Sequence, residues 1–288
     1  MNLEIKNVSK SYRDKLVIDD INLTLEPGLY GLLGANGAGK STLMKMICNV
    51  SRTSKGEITY NENNIVNNKE FLDDLAYLPQ DFSYYPEFTV IDFMLYMAAL
   101  NGMNKKIAKN KTFEVLDKVG LNRNLSKKKI KTLSGGMKRR LGIAQAILDD
   151  PKVLIIDEPT VGLDPKERVR FRNMISEIAE DNIVLLSTHI VSDVEYIADE
   201  IIILKNGQIK NMGTAQELLS EIEGLVWEVN VSARDVKDYR KEYTVINQRH
   251  DTGGVLLRII SETRPAGDAV RADVTLEDLY LRYFQEEV

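Results

Sequence analysis

Apolar and polar positions alternate along the first part of the chain. The alternation extends from residue 2 to residue 30, where Pro27-Gly28 interrupts it, and returns from Gly56 to Ile65. A period of two residues predicts half-buried antiparallel strands. Between these stretches, the segment from Thr42 to Cys48 has a helical pattern. We therefore expect an antiparallel β region on both sides of a short helix.

The middle of the chain is predicted to be helical. Residues Asp81 to Gly102 are rich in aromatic side chains and methionine and predict one helix, and Ile107 to Val119 predicts an amphipathic second one. We place a mostly helical insertion at about residues 82–148.

Short continuous apolar runs follow the helical insertion. Val153 to Ile156 and Ile183 to Leu186 are separated by a helical pattern from Lys166 to Ala179. Such runs are typical of parallel strands that are buried on both faces in a βαβ arrangement. Residues 201–213, with Asn206-Gly207 at their centre, predict a closing hairpin.

The pattern changes again beyond about Thr214. Strands are predicted at Leu225 to Val231, Tyr243 to Gln248 and Val255 to Ile260, with a terminal helix at Leu276 to Phe284. We predict two parts, a main domain at 1–215 and a small C-terminal α+β region at 216–288. The second part contains no chemical motif, so a packing role and a regulatory role both stay open.

Composition limits the kinds of protein this chain can be. Lys and Arg total 38 against 43 Asp and Glu, giving a net charge of −5, which argues against a broad nucleic-acid surface. The apolar runs are shorter than the ~18 residues of a membrane span. The beginning of the chain lacks the apolar centre of a signal peptide, and the single cysteine permits no internal disulfide. We expect a cytoplasmic protein.

A glycine-rich segment lies between the apolar run at residues 29–33 and the first helix. It reads Gly34-Ala-Asn36-Gly37-Ala-Gly39-Lys40-Ser41-Thr42. Glycines let backbone N–H groups approach phosphate oxygens closely. Lys40 supplies a positive charge to the β and γ phosphates, and Ser41 offers a hydroxyl to Mg²⁺ at a helix N-terminus. The predicted ligand is a nucleoside triphosphate with magnesium.

A second candidate anion site begins another helix. Leu133-Ser134-Gly135-Gly136 precedes apolar positions with helical spacing, which would place a hydroxyl and free N–H groups at a helix N-terminus. Taken alone, the segment is equally well interpreted as an ordinary capped helix after a glycine turn.

Paired carboxylates follow the apolar run at residues 153–156. Asp157 at the end of a buried strand fits a role in holding Mg²⁺ through water. Glu158, the next residue, fits a role in polarising an attacking water molecule.

Three further positions complete an ordered set of motifs: Gln80, the segment Gly162-Leu163-Asp164, and His189 after the second apolar run. With the phosphate loop, the Leu-Ser-Gly-Gly signature and the Asp157-Glu158 pair, they resemble the ATP-binding cassette (ABC) ATPases over roughly residues 1 to 215. The resemblance implies an α/β fold with a P-loop NTPase (RecA-like) core, an antiparallel β subdomain and a helical insertion.

The resemblance also implies roles for individual residues. Tyr12 would stack on adenine, Gln80 would ligate Mg²⁺ and sense the partner, and His189 would contact the γ-phosphate. The nucleotide-binding positions are then Tyr12, Gly34, Asn36, Gly37, Gly39, Lys40, Ser41, Thr42, Ser134, Gly135, Gly136 and Asp164, the metal ligands Ser41, Gln80 and Asp157, and the catalytic residues Glu158, His189 and Gln80.

One position departs from the commonest pattern of the family, because Met137 stands where the signature usually continues with glutamine. The stretch from Leu133 to Ala146 looks like the ATPase subunits of ABC-2 type exporters, and residues 274–281 are similar to their tails. The resemblance implies hydrolysis of MgATP by a head-to-tail dimer of this chain with itself or a related subunit. The dimer would drive a separate membrane permease from its cytoplasmic face and export a drug, antibiotic, lipid or polysaccharide.

Two other functions are considered. A soluble, non-transport ABC ATPase would act on the ribosome or on nucleic acid, and the basic run Lys127 to Lys131 is the one feature that could serve it. We interpret this run as a solvated loop and expect no nucleic-acid partner. A P-loop kinase or GTPase is disfavoured because it has no use for the Leu-Ser-Gly-Gly signature.

Aromatic and methionine side chains are concentrated directly after Gln80: Phe82, Tyr84, Tyr85, Phe88, Phe93, Met94, Tyr96 and Met97. Many of them are expected in the core of the helical insertion. Exposed aromatic patches commonly mark interaction surfaces. We hypothesise that Tyr84, Tyr85 and Phe88 line a groove for a cytoplasmic helix of the permease.

Overall fold

The computed structural model describes residues 1–251 and 253–284. These residues form two compact units, which divide between Ile209 and Lys210. The first unit contains β1 (Leu3–Tyr12), β2 (Lys15–Leu25), β3 (Gly28–Leu33), α1 (Lys40–Ile47), β4 (Lys55–Tyr60), β5 (Asn63–Asn64), α2 (Lys69–Asp74), β6 (Leu75–Leu78), α3 (Val90–Leu100), α4 (Lys105–Lys118), α5 (Gly135–Ala146), β7 (Val153–Asp157), α6 (Pro165–Ala179), β8 (Ile183–Thr188) and β9 (Glu200–Lys205). Strand β10 (Gln208–Gly213) begins at the end of this unit.

The alternating stretches form an antiparallel sheet with the strand order β2-β1-β4-β5. In β2, the side chains of Ile18, Ile21 and Leu23 are buried, whereas polar neighbours such as Asp20 face outward. This periodicity is that of a sheet with one face on the core.

The continuous apolar runs form a parallel sheet with the order β9-β3-β8-β7-β6. Every residue of β7 and β8 is buried, because helices cover a parallel sheet on both faces. All five carboxyl ends lie at one edge, which is where ligands bind in open α/β sheets. The predicted fold class is confirmed.

One helix prediction is partly wrong. The helix expected from Asp81 to Gly102 begins only at Val90, where the Thr89 hydroxyl accepts a hydrogen bond from the Asp92 amide. Pro86 lacks an N–H group, so it cannot continue a helix. The backbone before α3 instead pairs with residues 126–131, through bonds such as that from the Ile130 amide to the Phe88 carbonyl.

The second unit contains α7 (Ala215–Ser220), β11 (Val226–Val231), α8 (Val236–Glu242), β12 (Thr244–Asp251), β13 (Gly254–Ile260), β14 (Val270–Arg271) and α9 (Leu276–Tyr283). Its sheet has the order β12-β13-β11-β14 and buries Trp227, Leu257 and Ile259 on one face. Arg258 joins β13 to α9 through Asp278, at 2.7 Å. The three strands and terminal helix were predicted, whereas the short, largely polar α8 was not.

No helix within the described residues is long and apolar enough to cross a membrane.

Candidate nucleotide site

A cleft of about 500 Å³ lies at the carboxyl ends of the parallel strands. Its lining is Lys15, Val17, Ala35, Asn36, Gly37, Gly39, Lys40, Ser41, Thr42, Gln80, Glu158, Val161 and His189. Nine of these residues were predicted as site residues. Lys15, Val17 and Val161 were not, because no motif marks them in the sequence, and Ala35 stands within the glycine-rich segment but was not assigned a role.

The glycine-rich loop between β3 and α1 requires glycine for two different reasons. Gly39 has φ of 111°, a left-handed conformation that side chains disfavour, and an added Cβ would lie 2.7 Å from Ile18 Cδ1. Gly34 begins the loop and is not part of the cleft lining, and a Cβ there would lie 2.5 Å from the Leu204 carbonyl oxygen. The loop is therefore held in one tight conformation against β2 and β9.

Lys40 begins α1 and is buried at the base of the cleft. Its Nζ donates to the Gly34 carbonyl at 2.6 Å and to the Ala35 carbonyl at 3.2 Å. The same Nζ lies 3.4 Å from Glu158 Oε1. The side-chain ammonium is thus fixed beside the loop, where it can meet a polyphosphate.

Glu158 occupies a sharp turn after β7, with φ of 46°. Such a left-handed conformation costs about 1–2 kcal/mol for a residue with a Cβ. The turn is held by the Glu158 amide, which bonds to the Ser187 carbonyl at 3.2 Å. The carboxylate lies between Lys40 and His189, whose Nδ1 is 2.8 Å from Oε2. A carboxylate held this way is placed to act as a general base.

Asp157 is buried at the end of β7, where its Oδ1 accepts a hydrogen bond from the Ser187 hydroxyl. Asp157 is not part of the cleft lining, which includes Ser41 and Gln80. Carboxylate, hydroxyl and amide oxygens are the donor types that Mg²⁺ takes, and the ion usually keeps waters and substrate phosphates as its other ligands. Among the described residues, no group of three or more His, Cys, Asp and Glu side chains could hold a metal by itself.

The signature segment lies at the start of α5 and is absent from the cleft lining of its own chain. The Ser134 hydroxyl accepts a hydrogen bond from the Met137 amide at 3.2 Å, so Ser134 caps the helix. Ser134 and Gly135 are exposed, and Gly136 is half-buried. An added Cβ on Gly136 would meet nothing closer than Leu163 Cδ2, at 3.5 Å.

Two other predicted site residues also lie outside the lining. Tyr12 ends β1, is 48% exposed, and has Lys10 Nζ 4.9 Å from its ring centroid. Asp164 caps α6, where its carboxylate accepts a hydrogen bond from the Glu167 amide at 2.9 Å.

Sequence reasoning missed Arg139 in α5. Its guanidinium donates to the carbonyl groups of Gln80, Asp157, Glu158 and Pro159 at 2.7–3.0 Å. Burial lowers the pKa of Arg139 below its usual range. The basic stretch Met137-Lys-Arg-Arg140 gives no sequence signal for such contacts, because arginines at successive helix positions resemble a solvated surface.

The parallel sheet, the glycine loop and the buried lysine define a P-loop nucleoside triphosphatase. The family model described as "ABC transporter" matches residues 18–161. The chain is 35% identical to the linearmycin resistance ATP-binding protein LnrL of Bacillus subtilis (strain 168), over 77% of this chain and 72% of that protein. It is 30% identical to the Nod factor export ATP-binding protein I of Burkholderia lata, over 99% of this chain and 98% of that protein.

Solved structures agree with these relatives. An ATP-binding subunit of an ABC transporter, 30% identical, matches with a TM-score of 0.69 over 77% of this chain and 94% of its own. A dimeric bacterial ABC transporter cassette, 22% identical, shares the fold with a TM-score of 0.67 over 74% of this chain and 98% of its own. The chain belongs to the ABC transporter family, as an ATP-binding and ATP-hydrolysing subunit. The predicted family and ATPase activity are confirmed.

Replacing Lys40 with alanine is expected to lower the affinity for MgATP by about tenfold or more, because a charge-assisted contact to phosphate is lost. Titration calorimetry on the purified chain measures this. Lys45→Ala, an exposed lysine on the same helix, is the control. Unchanged affinity in Lys40→Ala would show that this loop is not the phosphate site.

Proposed function

We propose that this chain hydrolyses MgATP with Glu158 as the general base and thereby drives a separate membrane permease. The observation that carries the proposal is the convergence of three side chains in the cleft. Glu158 lies 3.4 Å from Lys40 Nζ and 2.8 Å from His189 Nδ1. Beside a phosphate-binding loop, a carboxylate can accept a proton from water, and an ammonium and an imidazole can stabilise negative charge on the phosphate.

Each group has a distinct proposed role. N–H groups of the loop and Lys40 bind the β and γ phosphates, and Ser41, Gln80 and Asp157 would hold Mg²⁺. When bound, Mg²⁺ would neutralise charge that develops on the phosphate oxygens. Glu158 orients the attacking water and accepts its proton, while His189 contacts the γ-phosphate. Tyr12 is proposed to stack on adenine.

The signature is proposed to act on the nucleotide of a second subunit. Ser134 and Gly135 are exposed and lie outside the cleft of their own chain. The N-terminus of α5 favours an anion, because its free N–H groups and the helix dipole carry positive partial charge. A head-to-tail dimer with a second copy, or with a related subunit, would place each signature on its partner's ATP. Asp164 stays a predicted contact of this dimer site.

The proposed docking surface for the permease is an aromatic cluster of Tyr85, Phe88 and Tyr96. The ring centroids of Tyr85 and Phe88 are 5.0 Å apart, and those of Tyr85 and Tyr96 are 5.5 Å apart. Tyr85 is 47% exposed and Tyr96 is 39% exposed. Phe93 is fully buried beneath them. An exposed aromatic cluster five residues after Gln80 could transmit movement of Gln80 to a bound helix.

Tyr84 does not belong to the exposed groove in which it was predicted. Its hydroxyl donates to the Lys138 carbonyl of α5, and burial raises the pKa of Tyr84 well above its usual value. Tyr84 therefore faces α5 and belongs to the packing of the helical insertion. Tyr96, which was not assigned to the groove, takes its place.

Replacing Tyr85 with alanine is expected to leave basal ATP hydrolysis of the isolated chain unchanged but to abolish co-purification with the permease. The reason is that Tyr85 is exposed, does not line the nucleotide cleft, and has its side-chain contacts with other aromatic residues of the same segment and of α3. ATPase assays and affinity co-purification measure the two effects. Tyr196→Ala, a 76% exposed tyrosine elsewhere, is the control. Undiminished association in Tyr85→Ala would leave the docking site unidentified.

Export is the proposed direction of transport, from the cytoplasmic face of the membrane. One relative is described as a Nod factor export subunit and another as a linearmycin resistance subunit. The proposed cargo is accordingly a drug, antibiotic, lipid or polysaccharide.

No observation favours the nucleic-acid alternative. In the basic run, Lys129 and Lys131 both pair with Glu87, at 2.9 and 2.7 Å. Hydrogen bonds from these two lysines lower the pKa of Glu87 to about 2. Part of the positive charge is thus already neutralised within the fold.

A further inference from the structure

A single side chain joins two catalytic segments to the signature helix. Arg139 Nη1 donates to the Gln80 carbonyl at 2.8 Å, and Nε donates to the Pro159 carbonyl at 2.8 Å. Nη2 donates to the carbonyls of Asp157, at 3.0 Å, and Glu158, at 2.7 Å. One guanidinium therefore bonds both to Gln80, which follows β6 and lines the cleft, and to the turn that follows β7.

The chemistry of these contacts requires arginine. All four acceptors are neutral backbone carbonyls. The carboxylates of Asp157, Asp81 and Glu158 act on Arg139 only through charge and favour its protonated form. Arg139 is half-buried, so these four carbonyl contacts replace part of the hydration of its guanidinium. A planar fork with five donors can bond in three directions at once, whereas a lysine ammonium presents one point charge.

Two further contacts fasten α5 to the segment after Gln80. The Tyr84 hydroxyl donates to the carbonyl of Lys138, the neighbour of Arg139. The ring of Phe82 packs on Gly142, where an added Cβ would lie 2.1 Å from Phe82 Cε1. With Arg139, these contacts make α5 and the segment after Gln80 one packed unit.

We propose that Arg139 is a positioning residue for hydrolysis. It holds the backbone of Gln80 and Glu158 in a fixed relation to each other and to the helix that carries the signature. Glu158 depends on this support because its own backbone is in a disfavoured conformation. The proposal rests on the catalytic roles proposed for Gln80 and Glu158, and it makes the geometry of one site depend on the position of its own signature helix.

The test compares Arg139→Gln and Arg139→Lys with the wild-type chain. We expect kcat for ATP hydrolysis to fall by about 10- to 100-fold in both variants, because misplacing a catalytic group by about 1 Å has an effect of this size. The Kd for MgATP should stay within about threefold of wild type, since Arg139 does not line the cleft. Arg123→Gln, which removes an exposed arginine of the same helical insertion, is the control and should retain wild-type kcat.

Three results would overturn the proposal: a kcat near that of wild type in Arg139→Gln, a parallel loss of MgATP affinity and kcat, or full activity in Arg139→Lys. The last would mean that charge, rather than the fork, is required. Thermal unfolding of each variant identifies a folding defect. If Arg139→Gln is misfolded, Tyr84→Phe replaces it in the test, because it removes only the hydrogen bond from Tyr84 to the Lys138 carbonyl. Tyr84→Phe should lower kcat while MgATP binding stays intact. Glu158→Gln is assayed in parallel. A kcat near that of wild type in Glu158→Gln would contradict the proposed role of Glu158. A kcat near that of wild type in Arg139→Gln, with a low kcat in Glu158→Gln, would contradict only the role of Arg139.

Discussion

Glu158→Gln is expected to lower ATP turnover by about 10²- to 10⁴-fold, the effect typical of losing a general base. Glutamine keeps the size of the side chain but cannot accept the proton of the attacking water. MgATP binding should stay intact, because the substitution also removes the carboxylate that lies 3.4 Å from Lys40 Nζ and competes with phosphate for it. The variant should accumulate as an ATP-bound dimer.

Phosphate release and analytical size exclusion with ATP measure these two effects in the purified chain with its permease. Glu180→Gln is a matched control, because it removes an exposed carboxylate at the end of α6. Turnover like that of wild type in Glu158→Gln would show that Glu158 is not the general base. His189 and Gln80 would then be the remaining candidates.

Gly136→Asp is expected to block hydrolysis by about 10²-fold or more, while each monomer still binds nucleotide. In the proposed dimer, the signature faces the γ-phosphate of the partner's ATP, so a new carboxylate would oppose phosphate charge instead of stabilising it. The backbone should accommodate the added Cβ, whose nearest atoms would be Leu163 Cδ2 at 3.5 Å and Glu167 Oε2 at 3.8 Å. Thermal unfolding of the variant measures any effect of the new carboxylate on the chain's own Glu167.

Gly136→Asn is the matched control, since it has nearly the same shape and no charge, and it should retain more activity than Gly136→Asp. Equilibrium binding of MgATP to the isolated monomer separates the two sites. If Gly136→Asp abolished that binding, the signature would belong to the same nucleotide site as Lys40, and the head-to-tail arrangement would be wrong.

Much of the fold could be predicted because its periodicities are local. The run from Ile183 to Leu186 is apolar at every position because β8 is buried on both faces, whereas the alternation in β2 shows that one face is solvated. The phosphate loop was equally predictable, because its nine residues are consecutive. Gly37 and Gly39 are required by a backbone with positive φ, and Lys40 by the negative charge of the phosphates.

Other features could not be predicted, because they depend on segments far apart in the chain. The aromatic stretch before Val90 reads as helix, yet its backbone hydrogen bonds go to residues 126–131. Tyr84 was assigned to an exposed groove, but its hydroxyl bonds to α5, 54 residues away. Local propensity does not indicate which distant segment of the chain will supply the hydrogen-bond partner of a polar group.

The amino-acid sequence alone determined the parallel sheet and the phosphate loop, since each is encoded by a short pattern with a direct physical cause. Its ordered motifs, which include Glu158 and His189, indicated the family by resemblance. The tertiary structure decided how these parts meet. Lys40, Glu158 and His189 come together because β3, β7 and β8 end at one sheet edge. Arg139 reaches four carbonyl groups because α5 packs across two turns that no sequence pattern connects. The chemistry of each side chain can be read from the sequence, whereas the distances between these side chains depend on how the whole chain packs.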